Sequence, residues 1–431
     1  MRIFLLTFAL ACAIGAAQPL VIRGAKVFDS EAGGFRDGWT VVIEGDRITG
    51  AGEGARSPRG AKVIDARGQF LIPGLIDAHV HLTHVLWQAG MTGDEVLPIY
   101  VKHGVTSVRS TGDNVVAQTL LKKWAEANPA QSPRIFVASP LIGDLPPIHP
   151  DVGWALTTPA QVPDFVALLK KWNVSTVKLY ANIKPEVGRA VIAEAHKAGL
   201  FVTGHLASYP VEQAVDDGID AVEHIESVAD FLRADPRDRF SVDLDREPSQ
   251  QLIRKIGERH LFVDPTLTVF FGALYQLDDQ TVLDRPDNLA MPAPLREWWA
   301  QWNGMAYTRF RGYMSPPREV RLAQLAKYQR LTGMLHKAGA RIAAGTDAPE
   351  PQVPPGSSLH WELELLAGSG MTPAEVLRAA TYQNAQLLRQ SDLGVIRAGA
   401  RADLVLLTAD PSADIKNTRR IKSVIVRGRL N

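Results

Sequence analysis

Two histidines close a short apolar run in the stretch Pro73-Gly74-Leu75-Ile76-Asp77-Ala78-His79-Val80-His81. Residues i and i+2 of a β-strand point to the same side, so His79 and His81 can direct two imidazoles at one metal ion. The same spacing also occurs on exposed strands that bind nothing. Whether this pair is functional therefore depends on the ligand residues that the rest of the chain supplies.

Strand and helix patterns alternate from residue 76 to residue 389. Short apolar runs predict strands at Ile76–Val80, Thr106–Ser110, Ile135–Ala138, Thr176–Tyr180, Phe201–Gly204, Ala221–His224, Phe262–Pro265 and Ile342–Gly345. Helical periodicity predicts helices such as Val162–Trp172, Pro185–Ala198, Ser249–Arg259 and Arg318–Ala338, and Pro373–Leu388 closes the series. This alternation predicts an α/β fold, a (β/α)8 TIM barrel. A doubly wound open sheet is the alternative, but no GxGxxG follows the first strand.

The two ends of the chain share a different pattern of short strands. It predicts strands at Leu20–Phe28, Thr40–Ile48, Lys62–Asp65, Gly394–Arg397, Ala402–Thr408 and Ile421–Val426. Neither end has enough strands for a stable sheet of its own. We therefore expect residues 18–75 and 390–431 to form one composite β-sandwich domain, with the barrel at 76–389.

An aromatic segment at 268–317 interrupts the alternation after the seventh strand. It contains Phe270, Phe271, Trp298, Trp299, Trp302, Tyr307 and Tyr313. An insertion at this point lies on the catalytic face of a barrel, where it could form a lid over the substrate. Helices packed on the outside of the barrel, or a dimer contact, would explain the segment equally well.

Polar residues follow several of the predicted barrel strands at their carboxyl ends. His205 follows Phe201–Gly204, His224 closes Ala221–His224, and Asp347 comes soon after Ile342–Gly345. The carboxyl ends of barrel strands meet at one rim, where active sites are built. Each residue alone has an ordinary structural explanation, but the repetition on four strands favours a metal site.

Lys178 lies inside the predicted strand Thr176–Tyr180, where an unpaired lysine is rarely buried. A lysine whose side chain reaches outward to solvent would explain its presence. The functional interpretation is a lysine carboxylated by CO2. Its carbamate would be an anion with two oxygens, able to bridge two divalent ions about 3.5–4 Å apart.

Charge and cysteine content exclude several classes of protein. The chain has 47 basic and 46 acidic residues, and so small a net charge argues against nucleic acid as the main partner. Cys12 is the only cysteine, which excludes an internal disulfide framework and a thiolate-rich metal site.

Residues 1–17 look like a secretory signal peptide, with Arg2, an apolar run from Ile3 to Gly15 and small residues at its end. The run is too short to cross a bilayer, which needs about 20 residues. No other segment is long and apolar enough to span a membrane. We expect an exported protein, periplasmic or extracellular, with lipid attachment at Cys12 as the weaker alternative.

These features together resemble the amidohydrolase superfamily, in particular its metal-dependent branch related to imidazolonepropionase and to Xaa-Pro dipeptidases. The resemblance covers nearly the whole mature chain. It is carried by Pro73–His81, Gly104-Val105-Thr106-Ser107-Val108-Arg109, Val177-Lys178, Gly204-His205, Glu223-His224, Gly345-Thr346-Asp347 and Gly399–Val405.

The resemblance implies a role for each candidate ligand. His79, His81 and Asp347 would hold the more buried of two divalent metal ions, and His205 and His224 the more exposed one. Carboxylated Lys178 would bridge them. Asp347 would also be the general base. It would take a proton from the bridging water, which becomes the attacking hydroxide, and pass that proton to the leaving nitrogen. Zinc is our first expectation, although manganese, iron and cobalt accept the same ligands.

Two departures from the family pattern lie where the substrate should bind. Ser110 stands where relatives often carry an acidic residue, and the segment from Ile142 to His149 replaces a Gly-Gly-His motif. His149 is a candidate for a catalytic role in oxyanion support and for substrate contact. Tyr180 and Arg109 are further candidates for substrate binding.

The sequence therefore predicts an exported metal-dependent hydrolase acting on a C–N bond. The small-molecule substrate would be a peptide, a linear amide or a cyclic amide, with an Xaa-Pro dipeptide as one candidate. An esterase, lactonase or phosphoesterase on the same binuclear site is the first alternative. A non-catalytic periplasmic binding module would predict a lost ligand or base, whereas all six positions are filled. Homo-oligomerisation is left open.

Overall fold

The computed structural model describes residues 18–276, 278–309 and 311–431. At 273, 302–309 and 311 it describes the backbone and not the side chains. The predicted signal peptide and Cys12 lie outside the described residues, as do the side chains of Trp302 and Tyr307.

The strands are numbered in chain order. They are β1 (Leu20–Asp29), β2 (Gly34–Glu44), β3 (Arg47–Gly52), β4 (Lys62–Asp65), β5 (Phe70–Pro73), β6 (Leu75–Val80), β7 (Val105–Gly112), β8 (Arg134–Gly143), β9 (Gly153–Ala155), β10 (Thr176–Leu179), β11 (Phe201–Gly204), β12 (Ala221–Glu223), β13 (Phe262–Asp264), β14 (Arg341–Ile342), β15 (Leu404–Leu407), β16 (Ile421–Val426) and β17 (Arg429–Leu430).

The helices are numbered in the same way. They are α1 (His84–Gln88), α2 (Gly93–Lys102), α3 (Val115–Ala127), α4 (Val162–Lys171), α5 (Pro185–Lys197), α6 (Val211–Asp216), α7 (Glu226–Ala229), α8 (Glu247–Glu258), α9 (Leu267–Val269), α10 (Gln280–Leu283), α11 (Pro286–Leu289), α12 (Ala293–Arg309), α13 (Arg311–Met314), α14 (Arg318–Ala338), α15 (Ser357–Gly368), α16 (Pro373–Arg378) and α17 (Asn384–Leu387). Short 3-10 turns lie at Pro159–Gln161, Asp230–Leu232 and Ile415–Arg419, and π-helical turns at Phe270–Leu274 and Ala379–Gln383.

Eight parallel strands form the barrel, in the order β6, β7, β8, β10, β11, β12, β13 and β14. Their residues are buried almost throughout, because helices cover the outside of a parallel sheet and side chains fill its inside. The first and last strands meet through backbone hydrogen bonds. Ala78 N donates to Ala344 O over 3.0 Å and His81 N donates to Ala348 O over 2.7 Å. The prediction of a TIM barrel is confirmed.

A buried asparagine side chain reinforces this closure. Asn384 at the start of α17 accepts a hydrogen bond from Ala344 N (3.1 Å) and donates to Ile76 O (2.7 Å) and to Ala344 O (2.8 Å). These carbonyl and amide groups belong to the segments that carry the His-x-His pair and Asp347. The closing helix therefore fixes the spacing of two ligand-bearing segments.

The two ends of the chain come together in one domain, as the sequence predicted, and their strands form one mixed sheet. Its order is β17, β16, β15, β5, β1, β2 and β3, with β4 also paired to β1. The N- and C-terminal segments join where β15 runs antiparallel to β5. The predicted strand Gly394–Arg397 is irregular instead, although Val395 and Ile396 are buried in the core of this domain.

The insertion consists of short helices that lie over the catalytic end of the barrel. Trp298, Trp299 and Tyr275 are buried in it, and Trp299 Nε1 donates to Pro349 O over 2.9 Å. This bond ties α12 to the loop that follows Asp347. Among the described residues, no helix has both the length and the apolar character needed to cross a bilayer.

Replacing Asn384 with alanine should destabilise the barrel. The change removes the side-chain partner of the buried Ala344 N and Ile76 O, at a cost of about 1–3 kcal/mol for each group left unsatisfied, while Ala344 O keeps its bond from Ala78 N. Urea unfolding of the purified protein measures the loss. Asn417→Ala, which removes one partly buried bond to Asp410 O, is the matched control. Equal stability of the two variants would contradict a closing role for Asn384.

Candidate metal centre and substrate pocket

The six predicted metal ligands converge at the carboxyl end of the barrel. His79 lies in β6, Lys178 lies in β10, and the other four follow strands: His81, His205, His224 and Asp347. Five of the six are buried, and His205 alone keeps partial exposure. The structure thus brings together residues that are up to 268 positions apart in the sequence, the distance from His79 to Asp347.

Asp347 stands at the centre of the group. Its Oδ1 lies 3.3 Å from His79 Nε2 and 3.0 Å from His81 Nε2, and its Oδ2 lies 3.9 Å from His224 Nδ1. The His224 ring centroid is 4.7 Å from that of His79 and 4.4 Å from that of His205. The His-x-His pair, the two later histidines and the aspartate therefore surround one small volume.

Two of these residues have left-handed backbone conformations. φ is 61° at His224 and 67° at Asp347, a region that costs energy for residues other than glycine. Backbone hydrogen bonds hold both in place, from His224 N to Asp264 O (2.8 Å) and from Asp347 N to His79 O (2.8 Å). The strain is confined to the ends of strands, where it directs side chains over the barrel.

Glycine is required at position 345 because the chain passes so close to this centre. A Cβ atom there would lie 2.5 Å from Asp264 Oδ2 and 2.6 Å from His79 Cβ. The absence of a side chain lets the segment before Asp347 pack directly against two site residues.

The environment of the two later histidines keeps them neutral. Burial, together with Lys178, lowers the pKa of His205 to about 3. Burial and the nearby His205 hold the pKa of His224 well below its usual range. Metal ligation requires an unprotonated imidazole nitrogen, so both residues are in the form that binds a metal.

His81 shows the opposite shift, because two carboxylates contact it. Burial would lower the pKa of His81, but hydrogen bonds with Asp113 and Asp347 outweigh it and raise the pKa to about 10. For the carboxyl group of Asp347, burial alone would raise the pKa. The nearby His79 and His224 nevertheless hold this pKa well below its usual range. Asp347 is therefore ionised at neutral pH and able to accept a proton.

Lys178 contacts another buried group, the carboxylate of Glu223. Burial and the charge of Arg109 lower the pKa of Lys178 to about 7. Arg109 in turn donates to Glu223 Oε1 over 2.7 Å and to Ala78 O over 2.6 Å. The lysine is thus inside the barrel, and the outward-facing alternative is wrong.

The position of Arg109 corrects one sequence-based expectation. We predicted a substrate contact, but its guanidinium is fully buried behind the ligands and does not line the pocket. Its hydrogen bonds to β6 and to Glu223 explain why. Arg109 balances the buried carboxylates Glu223 and Asp264, which lie 2.7 and 3.7 Å from it.

Several buried polar atoms of the centre form no hydrogen bond. Among them are both ring nitrogens of His79 and both carboxylate oxygens of Asp264. Buried polar atoms are almost always paired, so a cation that accepts lone pairs is the missing partner that fits. His79, His224 and Asp347 offer ligand atoms within 4.8 Å of one another, a nitrogen and oxygen donor set suited to divalent metals.

The substrate pocket opens directly above these ligands. It is a cavity of about 160 Å³, and Tyr180 and His149 form part of its wall. His149 Nε2 lies 3.0 Å from Tyr180 Oη, and the Tyr180 ring packs against His205. The insertion supplies further residues of the pocket wall, Val269, Phe270, Leu274 and Tyr313. The insertion thus contributes to the wall of this pocket, which is the position that a lid would occupy.

A larger cavity of about 740 Å³ lies elsewhere, between α2 and the C-terminal strands. Lys102, His103, His360 and Arg419 are among its lining residues, and none of the six candidate ligands is. We therefore place the functional site at the smaller cavity, where the chemistry-bearing residues are.

Comparison with known proteins agrees with this geometry. The profile described as "Amidohydrolase family" matches residues 70–237 and 325–430, more than half of the chain. The chain belongs to the amidohydrolase family. The gap between the matched segments contains the aromatic insertion, which therefore lies outside the family match of this amidohydrolase.

Individual relatives span nearly the full length of the amidohydrolase. Imidazolonepropionase of Streptomyces griseus is 27% identical over 390 residues, covering 86% of this chain and 85% of the relative. Imidazolonepropionase of Anaeromyxobacter dehalogenans is 26% identical over 425 residues, covering 90% and 89%.

Solved structures share the fold at lower identity. A Xaa-Pro dipeptidase with bound methionine has a TM-score of 0.71 at 20% identity, covering 96% of this chain and all of the other (100%). Bottromycin amidohydrolase has a TM-score of 0.75 at 22% identity, covering 96% and 86%. The predicted family, fold and hydrolase class are confirmed, and metal dependence follows from the family.

Sequence reasoning gave no role to three buried carboxylates of the centre. Glu223 and Asp264 end β12 and β13, so they share the strand-end signal that identified the histidines. Asp113 follows β7, past Gly112, whose φ of 77° turns the chain. The Asp113 carboxylate accepts hydrogen bonds from Ser110 Oγ (2.6 Å) and Thr83 N (3.0 Å).

Asp113 also faces the first histidine pair. Its Oδ1 lies 3.3 Å from His81 Nδ1, which leaves His81 Nε2 directed at Asp347. A carboxylate on the second nitrogen of a ligating histidine fixes the tautomer and the ring orientation. His81, His84 and Asp113 also form a compact group, but the bonds already made by Asp113 favour a positioning role over a separate metal site.

Replacing Asp113 with asparagine should weaken metal binding about 10–100-fold, because His81 loses the partner that fixes its tautomer. Competition with a chelating dye measures the affinity without any substrate. Asp403→Asn is the control. Asp403 belongs to the composite domain, and its buried carboxylate accepts hydrogen bonds from Arg134 Nε and Arg427 N. Unchanged metal affinity in the Asp113 variant would contradict the assignment.

Proposed function

We propose that this protein hydrolyses the C–N bond of a compact amide, in a peptide, a linear amide or a cyclic amide. The observation that carries the proposal is the convergence of His79, His81, Lys178, His205, His224 and Asp347 on one volume beneath the pocket. The names of the relatives, imidazolonepropionase among them, and of the fold neighbours, among them a Xaa-Pro dipeptidase, support this bond class. They do not point to one substrate.

The ligands fit two divalent ions, with zinc as our first choice. Such ions supply Lewis-acid chemistry, which polarises the scissile carbonyl and makes water more acidic. Asp347 accepts the proton of the attacking water and delivers it to the leaving nitrogen. Its ionised state and its position between His79, His81 and His224 support both steps.

Carboxylation of Lys178 would provide the bridging ligand. The neutral amine attacks the carbon of CO2, a nitrogen–carbon bond forms, and the nitrogen loses one proton. The pKa of Lys178, about 7, makes the neutral amine available, and the Glu223 carboxylate in contact with it can take the proton. Arg109 lies close enough to favour the resulting anion.

Tyr180 and His149, which line the pocket, are proposed as substrate contacts. Their mutual hydrogen bond fixes the two side chains relative to each other and to His205. His149 can then support the oxyanion of the substrate from a fixed position, with Tyr180 as its positioning partner.

We also propose that the protein is exported to the periplasm or beyond. The basic start, apolar run and small residues of 1–17 support this proposal. N-terminal sequencing of the secreted or periplasmic protein should find a chain that starts near Gln18. A mature protein that retains Met1 in the cytoplasm would contradict export.

Replacing Lys178 with alanine should remove at least one metal per chain and abolish amide hydrolysis, since the bridge is lost. Bicarbonate with a short carboxylic acid should restore part of the metal content and part of the hydrolysis.

Asp347→Asn should lose most turnover yet retain much of its metal and its fold, because an amide can still ligate but cannot accept the proton.

Elemental analysis and a panel of amides, dipeptides and esters measure these outcomes. Full activity of Asp347→Asn would contradict its role as the base. Two metals held at wild-type affinity in Lys178→Ala would contradict the bridge. Turnover of esters with no turnover of any amide would replace the proposed reaction by an esterase.

A further inference from the structure

Three apolar side chains at the start of the insertion form part of the pocket, and they are called the apolar wall here. Val269, Phe270 and Leu274 line the cavity, as do His81 and Asp347 of the metal centre. The three side chains of the wall carry no polar atom. They lie between the two stretches that match the family profile, 70–237 and 325–430. The apolar wall is therefore outside the family match although it lines the same pocket as the metal ligands.

The backbone of the wall is the π-helical turn Phe270–Leu274. Tyr275 N donates to Phe270 O over 3.1 Å, a bond that spans five residues where an α-helix spans four. This wide turn places Phe270 and Leu274 about one turn apart, so both side chains face the cavity. Turns of this kind are rare and frequently lie at functional sites.

Buried side chains of the barrel helices hold both ends of this turn. At its entry, the Glu362 carboxyl group of α15 accepts hydrogen bonds from Leu267 N (3.0 Å) and Thr268 N (2.8 Å). At its exit, Arg321 of α14 donates to Tyr275 O over 2.6 Å. Glu362 and Arg321 are both buried. These bonds fix the position of the wall relative to the barrel.

The wall is also joined to the loop that carries Asp347. Thr268 Oγ1 donates to Thr346 O, the residue before Asp347, over 2.9 Å. Gly272 packs against the same loop, since a Cβ atom there would lie 3.0 Å from Gln352 O. A substrate group that rests on the wall therefore lies beside the bond that Asp347 serves.

The size of the cavity limits what can rest there. Its volume of about 160 Å³ is below the roughly 300–1,000 Å³ of pockets for drug-sized ligands. The scissile amide takes up part of this space, which leaves room for a few carbons beside the wall. A charged group at the same place would lose its hydration and gain no polar partner from these three side chains.

We propose that the apolar wall selects amides with a short, uncharged aliphatic group next to the scissile bond, and that Leu274 sets the length of that group. The inference rests on the proposed amide hydrolysis and names its substrate class. Because the wall is fixed at both ends, it selects by shape. Leu274 is 9% exposed, against 2% for Phe270 and 3% for Val269, so its side chain borders the open space most directly.

Two series of amides test the preference for size. In the first, the acyl group grows from acetyl through butanoyl to 4-methylpentanoyl and then to 4-phenylbutanoyl. In the second, the same hydrocarbon groups lie on the leaving amine, because the pocket does not fix which side of the amide faces the wall. In one series we expect kcat/KM to rise about 4-fold for each added CH2 as far as the methylpentyl group, and to fall for the phenyl compound.

Charged analogues test the exclusion of charge at nearly constant size. An ammonium or a carboxylate group at the end of the butanoyl chain should lower kcat/KM at least about 10-fold, since either group must be desolvated against the wall. The loss should occur for both signs of charge.

Variants identify the residue responsible. In Leu274→Ala, the ratio of kcat/KM for the phenyl compound to that for the methylpentyl compound should rise about 10-fold, because the truncation opens space beside the wall. Leu295→Ala is the matched control, the same truncation of a buried leucine of the insertion outside the pocket, and should leave the ratio unchanged. Val269→Ala gives the same readout from the wall if Leu274→Ala does not fold. Metal content should equal that of the wild type in all three.

Three results would overturn the inference. The first is a kcat/KM that does not change with chain length in either series, and the second is a preference for a charged analogue. The third is an equal change of the ratio in Leu274→Ala and Leu295→Ala, which would mean a general structural effect. In each case hydrolysis itself still occurs, so the proposed function stands. No hydrolysis of any amide by the metal-loaded protein would overturn the proposed function and this inference with it.

Discussion

The compensation of buried charge governs this structure. Strand ends bring carboxylates, imidazoles and a lysine into a space that water scarcely enters, where an unpaired ion is costly. Arg109 offsets Glu223 and Asp264 from behind, and the histidines offset Asp347 from the side. The ring nitrogens of His79 and the carboxylate oxygens of Asp264 still lack hydrogen-bond partners, and a cation would satisfy such lone pairs. The same constraint thus explains the arginine inside the barrel and the metal centre at its mouth.

The barrel closure and the metal centre depend on each other. Asn384 joins the first and last strands, and those strands lead to His79, His81 and Asp347. β5 of the composite sheet is followed directly by β6, and Gly74 N between them donates to Asp403 O over 2.7 Å. The bonds that close the barrel and join the two domains therefore lie next to the ligands, while the insertion, which lies outside the family match, forms part of the pocket wall.

The sequence predicted the parts of the site that follow a repeating rule. Polar residues directly after apolar strands identified His205, His224 and Asp347, because parallel barrel strands end at one rim. Asp113 lies beyond such a rule, since the turn at Gly112 brings it back to His81. The prediction that Arg109 contacts the substrate was wrong, because the sequence does not distinguish the inward and outward positions of a barrel strand when both are buried. The contact between Tyr313 and Glu226 depends on the fold of the insertion, whose sequence has no regular hydrophobic periodicity that would predict it.

Metal content of the mature protein, grown with added zinc, is the most direct test of the account. Elemental analysis should find two divalent ions per chain, and their removal should abolish amide hydrolysis. One ion per chain would contradict the lysine bridge and leave a mononuclear hydrolase. No bound metal after reconstitution would contradict the metal centre as a whole.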